Sequence, residues 1–180
     1  MKKWTIIWDF DGTILPSEPY DSEQSLLIHA MNRKQKPFGG LKKIYARAMI
    51  YADQRERLRT TFKKTYIRML KGTPTAELDR LCQELAEKIS KTDRKVFRTL
   101  KEDGHDMMVF SCGTADLSER VLIFAGLLNC FSLIEGNRFQ FAGDRIQGMQ
   151  LRLPDPTDKL RMMHRLNLSP DLTMIVGDGY

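Results

Sequence analysis

Three short runs of hydrophobic residues, far apart along the chain, have the length and composition of buried β-strands. They occupy residues 4–8, 106–111 and 173–176 and are rich in branched, aromatic and sulfur-containing side chains. Between them, apolar residues recur at the spacing of amphipathic helices. Strands that alternate with helices predict an α/β fold whose sheet is mostly parallel and whose crossovers are right-handed.

The longest helical region follows the first strand directly. Residues 17–90 are strongly charged and carry apolar side chains at helical spacing. Turn-forming residues at 37–40 and 72–74 divide this region, and Thr73 or Thr75 is expected to cap the helix that comes next. This pattern predicts an insertion that is entirely helical.

A chain of 180 residues can fill one hydrophobic core and support a modest second lobe, but it is too short for two ordinary domains. We therefore predict a discontinuous core formed by residues 1–16 and 91–180, with residues 17–90 inserted into it. No internal repeat or low-complexity tract suggests a different organisation.

The remaining pattern of the core predicts two helices, a hairpin and a last helix before the third strand. The expected helices cover residues 93–103, which end at Gly104, and residues 116–128; the hairpin covers residues 131–149. The last helix is expected to start near Asp158, with Leu160, Met163 and Leu166 facing inward.

Polar residues follow each of the three predicted strands. The segments are Asp-Phe-Asp-Gly-Thr at 9–13, Ser-Cys-Gly-Thr at 111–114 and Gly-Asp-Gly at 177–179. Because ligands of parallel sheets bind beyond the carboxyl ends of the strands, we expect these segments to meet at one edge.

Each segment also has an ordinary structural interpretation. Asp9 and Asp11 could belong to a simple Asp-Gly turn, although an EF-hand loop fits poorly because Gly12 is only three residues after Asp9 and follows a strand. Ser111 could merely open a loop, and residues 177–179 could be a turn at the end of a strand. The case for a shared site depends on all three segments lying at the ends of strands in the same predicted sheet.

Taken in order, the motifs resemble those of the haloacid dehalogenase superfamily. The segment at 9–13 resembles the first motif and Ser111 the second. Lys159 occupies the place of the third, with Arg161 as a nearby rival, and the segment at 177–179 resembles the fourth. The resemblance implies a Rossmann-like core with a helical cap inserted after the first strand, and a Mg²⁺-dependent phosphate-ester hydrolase.

The resemblance also implies roles for these residues. Asp9 is the expected nucleophile, which forms an aspartyl-phosphate, and Asp11 is the expected general acid and base. Ser111, Cys112, Gly113 and Lys159 are expected to bind the phosphoryl oxygens. A Mg²⁺ ion is expected between a carboxylate oxygen of Asp9, the backbone carbonyl of Asp11, and Asp178. Cys112 departs from the small residue usual at its place, and as a thiol it is expected to make turnover sensitive to oxidation.

The position of the helical insertion resembles the cap of phosphoserine-phosphatase-like members. At their spacing, Glu18 would meet the substrate amino group and Arg55 its carboxylate, with Arg57 and Arg59 as rivals for Arg55. The implied substrate is a small phosphorylated metabolite, with a phosphoserine-like ester as one candidate. Alternative functions are a phosphotransferase or phosphomutase on the same scaffold, or a catalytically inactive module that binds polyanions.

Charge and composition narrow the partners only slightly. The net charge of +6 attracts anions of any kind. Basic residues of the insertion are interleaved with aromatic ones, but at helical spacing they are more often a solvated face, so nucleic acid is not expected. These basic residues are Lys42, Lys43, Arg47, Lys63, Lys64 and Arg68.

The cysteine pattern and the hydropathy bear on where the protein works. Cys82, Cys112 and Cys130 form no C-x-x-C pair, and the three histidines have no metal-ligand spacing. No run approaches the roughly eighteen apolar residues of a membrane span. A cytoplasmic protein that uses no membrane is expected, and the sequence leaves its oligomeric state open.

The last residues differ from the family pattern. The chain ends at Tyr180, directly after the fourth motif, whereas family members continue with a second acidic residue, a helix and a further strand. We therefore expect a truncated chain, with weakened Mg²⁺ affinity and an exposed apolar third strand.

Overall fold

The computed structural model describes residues 2–33 and 59–178. Five strands form one sheet in the order β4-β3-β2-β1-β5. Their bounds are Thr5–Trp8 (β1), Asp106–Thr114 (β2), Leu133–Ala142 (β3), Arg145–Gln150 (β4) and Thr173–Val176 (β5). β1 is parallel to both β2 and β5, β2 is parallel to β3, and only β4 runs antiparallel. The predicted α/β class with a mostly parallel sheet is confirmed.

Helices connect the strands, and those that the structure describes within residues 17–90 belong to the predicted insertion. Their bounds are Ser22–Arg33 (α1), Arg59–Leu70 (α2), Thr75–Ala86 (α3), Lys91–Glu102 (α4), Ala115–Phe124 (α5) and Pro156–Arg165 (α6). Two short 3₁₀ turns, Leu128–Cys130 and Pro170–Leu172, come before β3 and β5. In the part of the chain that the structure describes, no helix is long and apolar enough to cross a membrane.

The main hydrophobic cluster joins the sheet to helices on both sides of the predicted boundary at residue 90. It contains Ile6 and Val109 of the sheet together with Leu26 of α1 and Phe62 of α2. Burial of this apolar surface fixes the insertion helices against the core, because each fully buried side chain of this size stabilises the fold by about 1.5–3 kcal/mol. The elements that carry the polar segments are therefore held on one packed body.

Several element boundaries differ from the predicted ones for local reasons. α4 begins at Lys91 because the Ser90 side chain caps it by accepting a hydrogen bond from the Asp93 amide. α5 ends at Phe124, earlier than predicted, since Gly126 has a φ of +67° that leaves the helical region. β2 continues through Thr114, so the second polar segment is the end of the strand itself and not a loop after it.

Two predictions about helix ends and faces are wrong. Pro74, without a side-chain cap, precedes α3, and the Thr73 hydroxyl is buried without a hydrogen-bond partner. Leu160 and Leu166 are exposed, whereas Met163 packs against the small cluster around Leu153 as predicted. Met162 packs against the same cluster, so α6 contacts the sheet through its two methionines and not through the two leucines.

Candidate active site

A tight turn after β1 presents two carboxylates in succession. The carbonyl of Phe10 accepts hydrogen bonds from the amides of Thr13, Ile14 and Leu15, and the Phe10 ring is fully buried. The buried ring anchors the turn between Asp9 and Asp11. Gly12 has a φ of +81°, a conformation that favours glycine.

Asp9 is held at the carboxyl end of the sheet by its own backbone. Its amide donates to the Val176 carbonyl at 2.8 Å, which continues the pairing of β1 with β5. One carboxylate oxygen accepts from the Phe10 amide at 2.8 Å, and the other lies 2.6 Å from the Lys159 ammonium. The carboxylate is therefore fixed in orientation and paired with a positive charge.

Lys159 reaches Asp9 because of how α6 begins. Asp155 and Asp158 form a reciprocal capping box around Pro156, which sets the direction of the first turn. Lys159 follows in that turn, and its ammonium contacts Asp9, which lies 150 residues earlier in the sequence. Arg161, the predicted rival, is instead paired with Asp158 at 2.6 Å. Of these two basic residues, the structure brings Lys159 to Asp9.

Asp11 is bound by the first residue of α1. The Ser22 amide donates to Oδ1 at 2.8 Å, and the Ser22 hydroxyl donates to Oδ2 at 2.9 Å. Burial raises the pKa of Asp11 to about 6, with smaller upward contributions from the charges of Glu23 and Asp9; the Ser22 hydrogen bonds oppose the increase. A carboxyl group in this environment can hold and release a proton near neutrality.

Ser111 and Gly113 lie beside Asp11. The Gly113 amide donates to the Ser111 hydroxyl oxygen at 2.9 Å. A β-carbon on Gly113 would lie 3.0 Å from that oxygen and 3.2 Å from Asp11 Oδ2, so the three groups share one small region. Cys112, between them, is partly exposed.

Asp178 approaches the same turn from the end of β5. A β-carbon on Gly12 would overlap Asp178 Oδ2, and one on Gly177 would lie 3.5 Å from the β-carbon of Asp9. Any side chain at position 12 would therefore collide with the carboxylate. The structure brings Asp9, Asp11 and Asp178 together at one edge of the sheet, as expected.

The donors at this edge fit a hard cation. Mg²⁺ prefers oxygen ligands, and this edge offers carboxylate oxygens of Asp9 and Asp178 and the backbone carbonyl of Asp11. Only two of these three ligands are side chains. Within residues 2–33 and 59–178, no three His, Cys, Asp or Glu side chains form a metal-binding group by themselves. The predicted set is consistent with this finding because its third protein ligand is a carbonyl.

Asn137 is a site residue that the sequence did not reveal. Its side chain is fully buried in β3, donates to the Cys112 carbonyl at 2.8 Å, and accepts from the amides of Arg152 and Leu153 at 2.9 and 3.2 Å. One amide group thus connects the end of β2 to the segment that leads into α6. Ser22 was missed for the same reason, since neither residue belongs to a short motif.

The two residues predicted to contact the substrate are less defined. Glu18 is exposed, and its backbone carbonyl accepts from Lys88 at 3.1 Å. Arg55, with its rival Arg57, lies outside the described residues. Both substrate contacts stay predictions.

An apolar groove of about 450 Å³ between α4 and the β1–β5 side of the sheet is lined by none of the predicted site residues.

This fold and site define a class. The family model of haloacid dehalogenase-like hydrolases matches residues 5–180, and the chain belongs to that family. It is similar to a phosphoserine phosphatase of Archaeoglobus fulgidus, with 26% identity over 186 residues that cover 99% of this chain and 48% of the relative. The chain thus spans about half the length of that curated relative.

Solved structures of phosphoserine phosphatases share the fold. One, described as a phospho-aspartyl intermediate analogue, has a TM-score of 0.67 and 18% identity, covering 99% of this chain and 79% of that one. A probable phosphoserine phosphatase from Vibrio cholerae has a TM-score of 0.70 and 17% identity, covering 99% of this chain and 51% of that one. At these identities the similarity concerns the architecture.

The cysteines are expected to differ sharply in reactivity. Burial raises the pKa of Cys82 to about 12, and its side chain is fully buried, whereas Cys112 is partly exposed. Because the thiolate is the reactive form, iodoacetamide at pH 8 should modify Cys112 well before Cys82. Peptide mapping by mass spectrometry during the reaction gives the order. Earlier labelling of Cys82 would contradict it, and Cys112→Ser provides the control.

Proposed function

We propose that this chain carries the active site of a Mg²⁺-dependent phosphomonoester hydrolase that works through an aspartyl-phosphate on Asp9. The observation that carries the proposal is the 2.6 Å contact between the Lys159 ammonium and Asp9, with Asp11 and Asp178 at the same edge. A nucleophilic carboxylate, a second carboxyl group and a fixed cation are what phosphoryl transfer to Asp9 requires.

Asp9 would attack phosphorus in line, and its oxygen would form a new bond as the ester oxygen leaves. The Lys159 ammonium lowers the repulsion between the carboxylate and the phosphate. The Ser111 hydroxyl and the backbone amides beside it would donate to the equatorial oxygens. When bound by Asp9, the Asp11 carbonyl and Asp178, Mg²⁺ supplies further neutralisation of the phosphate charge.

Asp11 would act as the acid and base. Protonated, it donates to the departing alkoxide; ionised, it accepts a proton from the water that hydrolyses the aspartyl-phosphate. Its environment supports this role, since burial raises its pKa to about 6 while both oxygens stay oriented by Ser22. These hydrogen bonds thus fix the orientation of the group that would carry the proton.

The substrate class and the division into lobes belong to the same proposal. Residues 17–90 would form a cap over a core of residues 1–16 and 91–180, and the cap would admit a small phosphorylated metabolite. The phosphoserine phosphatase relatives and Glu18 favour an amino-acid-like ester. Lys63, one of the basic residues considered for polyanion binding, is buried against Glu23, which weakens that alternative; Lys42, Lys43 and Arg47 lie outside the described residues.

A panel of phosphorylated metabolites tests the proposal. With water as the sole acceptor, the protein should release free phosphate from at least one small ester in the presence of Mg²⁺, and EDTA should abolish the release until Mg²⁺ is restored. Transfer to an added alcohol or sugar without free phosphate would instead favour a phosphotransferase. Phosphate release that is unchanged by EDTA would refute the metal dependence.

A further inference from the structure

A buried group of charged and polar side chains lies between the insertion helices and the end of β2. Glu23 of α1 is 5% exposed, Lys63 of α2 is 6% exposed, and Thr114 of β2 is 1% exposed. Nothing in the proposed chemistry uses these three residues. Because burying charges opposes folding unless they are well paired, the group requires an explanation.

Both oxygens of the Glu23 carboxylate are occupied. The Thr114 hydroxyl donates to Oε1 at 2.5 Å, and the Lys63 ammonium donates to Oε2 in a buried ion pair. The positive charge of Lys63 thus neutralises the Glu23 carboxylate, whose other oxygen accepts from Thr114 in β2. The result is a connection from Lys63 of α2 through Glu23 of α1 to Thr114, the last residue of β2.

Thr114 lies where the sheet holds β2 least regularly. β2 and β3 pair in register up to Phe110, and the register then shifts before Thr114 pairs with Asn137. Ser111, Cys112 and Gly113, the predicted phosphate-binding residues, lie inside this irregular stretch. Regular pairing between β2 and β3 therefore does not fix these residues, and side-chain contacts do so instead. Asn137 binds the Cys112 carbonyl on one side, and Glu23 binds Thr114 at the end.

The same turn of α1 also holds the other half of the site. Ser22 binds both oxygens of Asp11, and the next residue, Glu23, binds Thr114. The start of the insertion therefore contacts the acid and base carboxyl and the phosphate-binding stretch through adjacent residues. A displacement of α1 would shift both groups together.

We propose that the Glu23–Lys63 ion pair is a positioning device: through Thr114 it fixes residues 111–113 for binding a phosphoryl group and makes that geometry depend on the placement of α1 and α2. This inference rests on the proposed function in assigning phosphate binding to these residues. Glu23, Lys63 and Thr114 are positioning residues and touch no reacting atom.

The test compares Thr114→Val, which keeps the shape but removes the donor, with Thr114→Ser, which keeps the hydroxyl. With Mg²⁺ present, Thr114→Val should raise the Kd for orthophosphate about tenfold, as measured by calorimetry, while Thr114→Ser stays within about twofold. Hydrogen exchange at residues 111–113 should rise in parallel. The matched control is Thr73→Val, since the Thr73 hydroxyl is equally buried but has no partner.

A second variant removes the connection from the other side. Glu23→Leu combined with Lys63→Met deletes the acceptor without leaving an unpaired charge in the interior. It should weaken orthophosphate binding as much as Thr114→Val does, and adding Thr114→Val to it should cause no further loss, because residues in one network are not additive. Losses that add, or a Kd equal to that of the wild type in Thr114→Val, would overturn the inference.

The two proposals fail separately. If no ester is hydrolysed but Thr114→Val still loosens residues 111–113 and weakens orthophosphate binding, the catalytic proposal falls and the positioning role stands. If hydrolysis requires Asp9 but Thr114→Val binds orthophosphate like the wild type, the positioning role falls alone.

Discussion

Asp9→Asn is expected to lower kcat for phosphate release on the order of 10⁴-fold or more, because an amide is a poor nucleophile and cannot form the aspartyl-phosphate. The substitution keeps the shape of the side chain and the acceptor for the Phe10 amide, but it removes the negative charge that faces Lys159. Phosphate release under single-turnover conditions measures the loss at the chemical step.

The matched control is Asp106→Asn. Asp106 is an exposed aspartate at the opposite end of the sheet, at the start of β2, so its neutralisation should leave turnover within about twofold. Thermal melting of both variants separates loss of chemistry from loss of folding. If Asp9→Asn folds and releases phosphate at the rate of the wild type, Asp9 is not the nucleophile.

Asp11→Asn should reduce turnover of alkyl phosphates about 10²- to 10⁴-fold, since the departing alkoxide no longer receives a proton. An aryl ester such as p-nitrophenyl phosphate separates the two steps. Its leaving group is stable as an anion, so Asp9 can still be phosphorylated, whereas hydrolysis of the aspartyl-phosphate lacks its base. We therefore expect a burst of p-nitrophenolate equal to the enzyme concentration, followed by slow turnover.

Stopped-flow absorbance records this burst, and Asp9→Asn should show none. Ser22→Ala is an informative companion, because it removes one of the two hydrogen bonds to Asp11 while the Ser22 amide keeps the other. Its loss of activity should be smaller than that of Asp11→Asn on both classes of ester. Equal losses on alkyl and aryl esters, without a burst, would argue against a proton-transfer role for Asp11.

The parts of the site that follow from strand ends were predictable from sequence. Hydrophobic runs identified β1 and β5, and the rule for parallel sheets then placed Asp9, Asp11 and Asp178 at one edge. Lys159 could be placed because Pro154 and Pro156 mark where a helix is about to start and because the third motif of the family falls in its first turn. Strand ends and helix starts are local features, and a few neighbouring residues are enough to recognise each of them.

Contacts across the insertion were not predictable in this way. Glu23, Lys63 and Ser22 look like ordinary polar residues of amphipathic helices, and their burial depends on how α1 and α2 pack against β2. Tertiary packing also decided that Leu160 faces solvent and that β2 continues through Thr114. In β5, Met174 is 46% and Ile175 is 60% exposed.

The buried amide of Asn137 has a consequence for how this site can change over time. By binding the Cys112 carbonyl and the amides of Arg152 and Leu153, it ties the strand that carries Ser111 to the segment that leads into α6, where Lys159 lies. A substitution of Asn137 itself is therefore expected to release the end of β2 from that segment. Substitutions elsewhere in the hairpin of β3 and β4 that keep this amide are expected to leave the link between β2 and α6 unchanged.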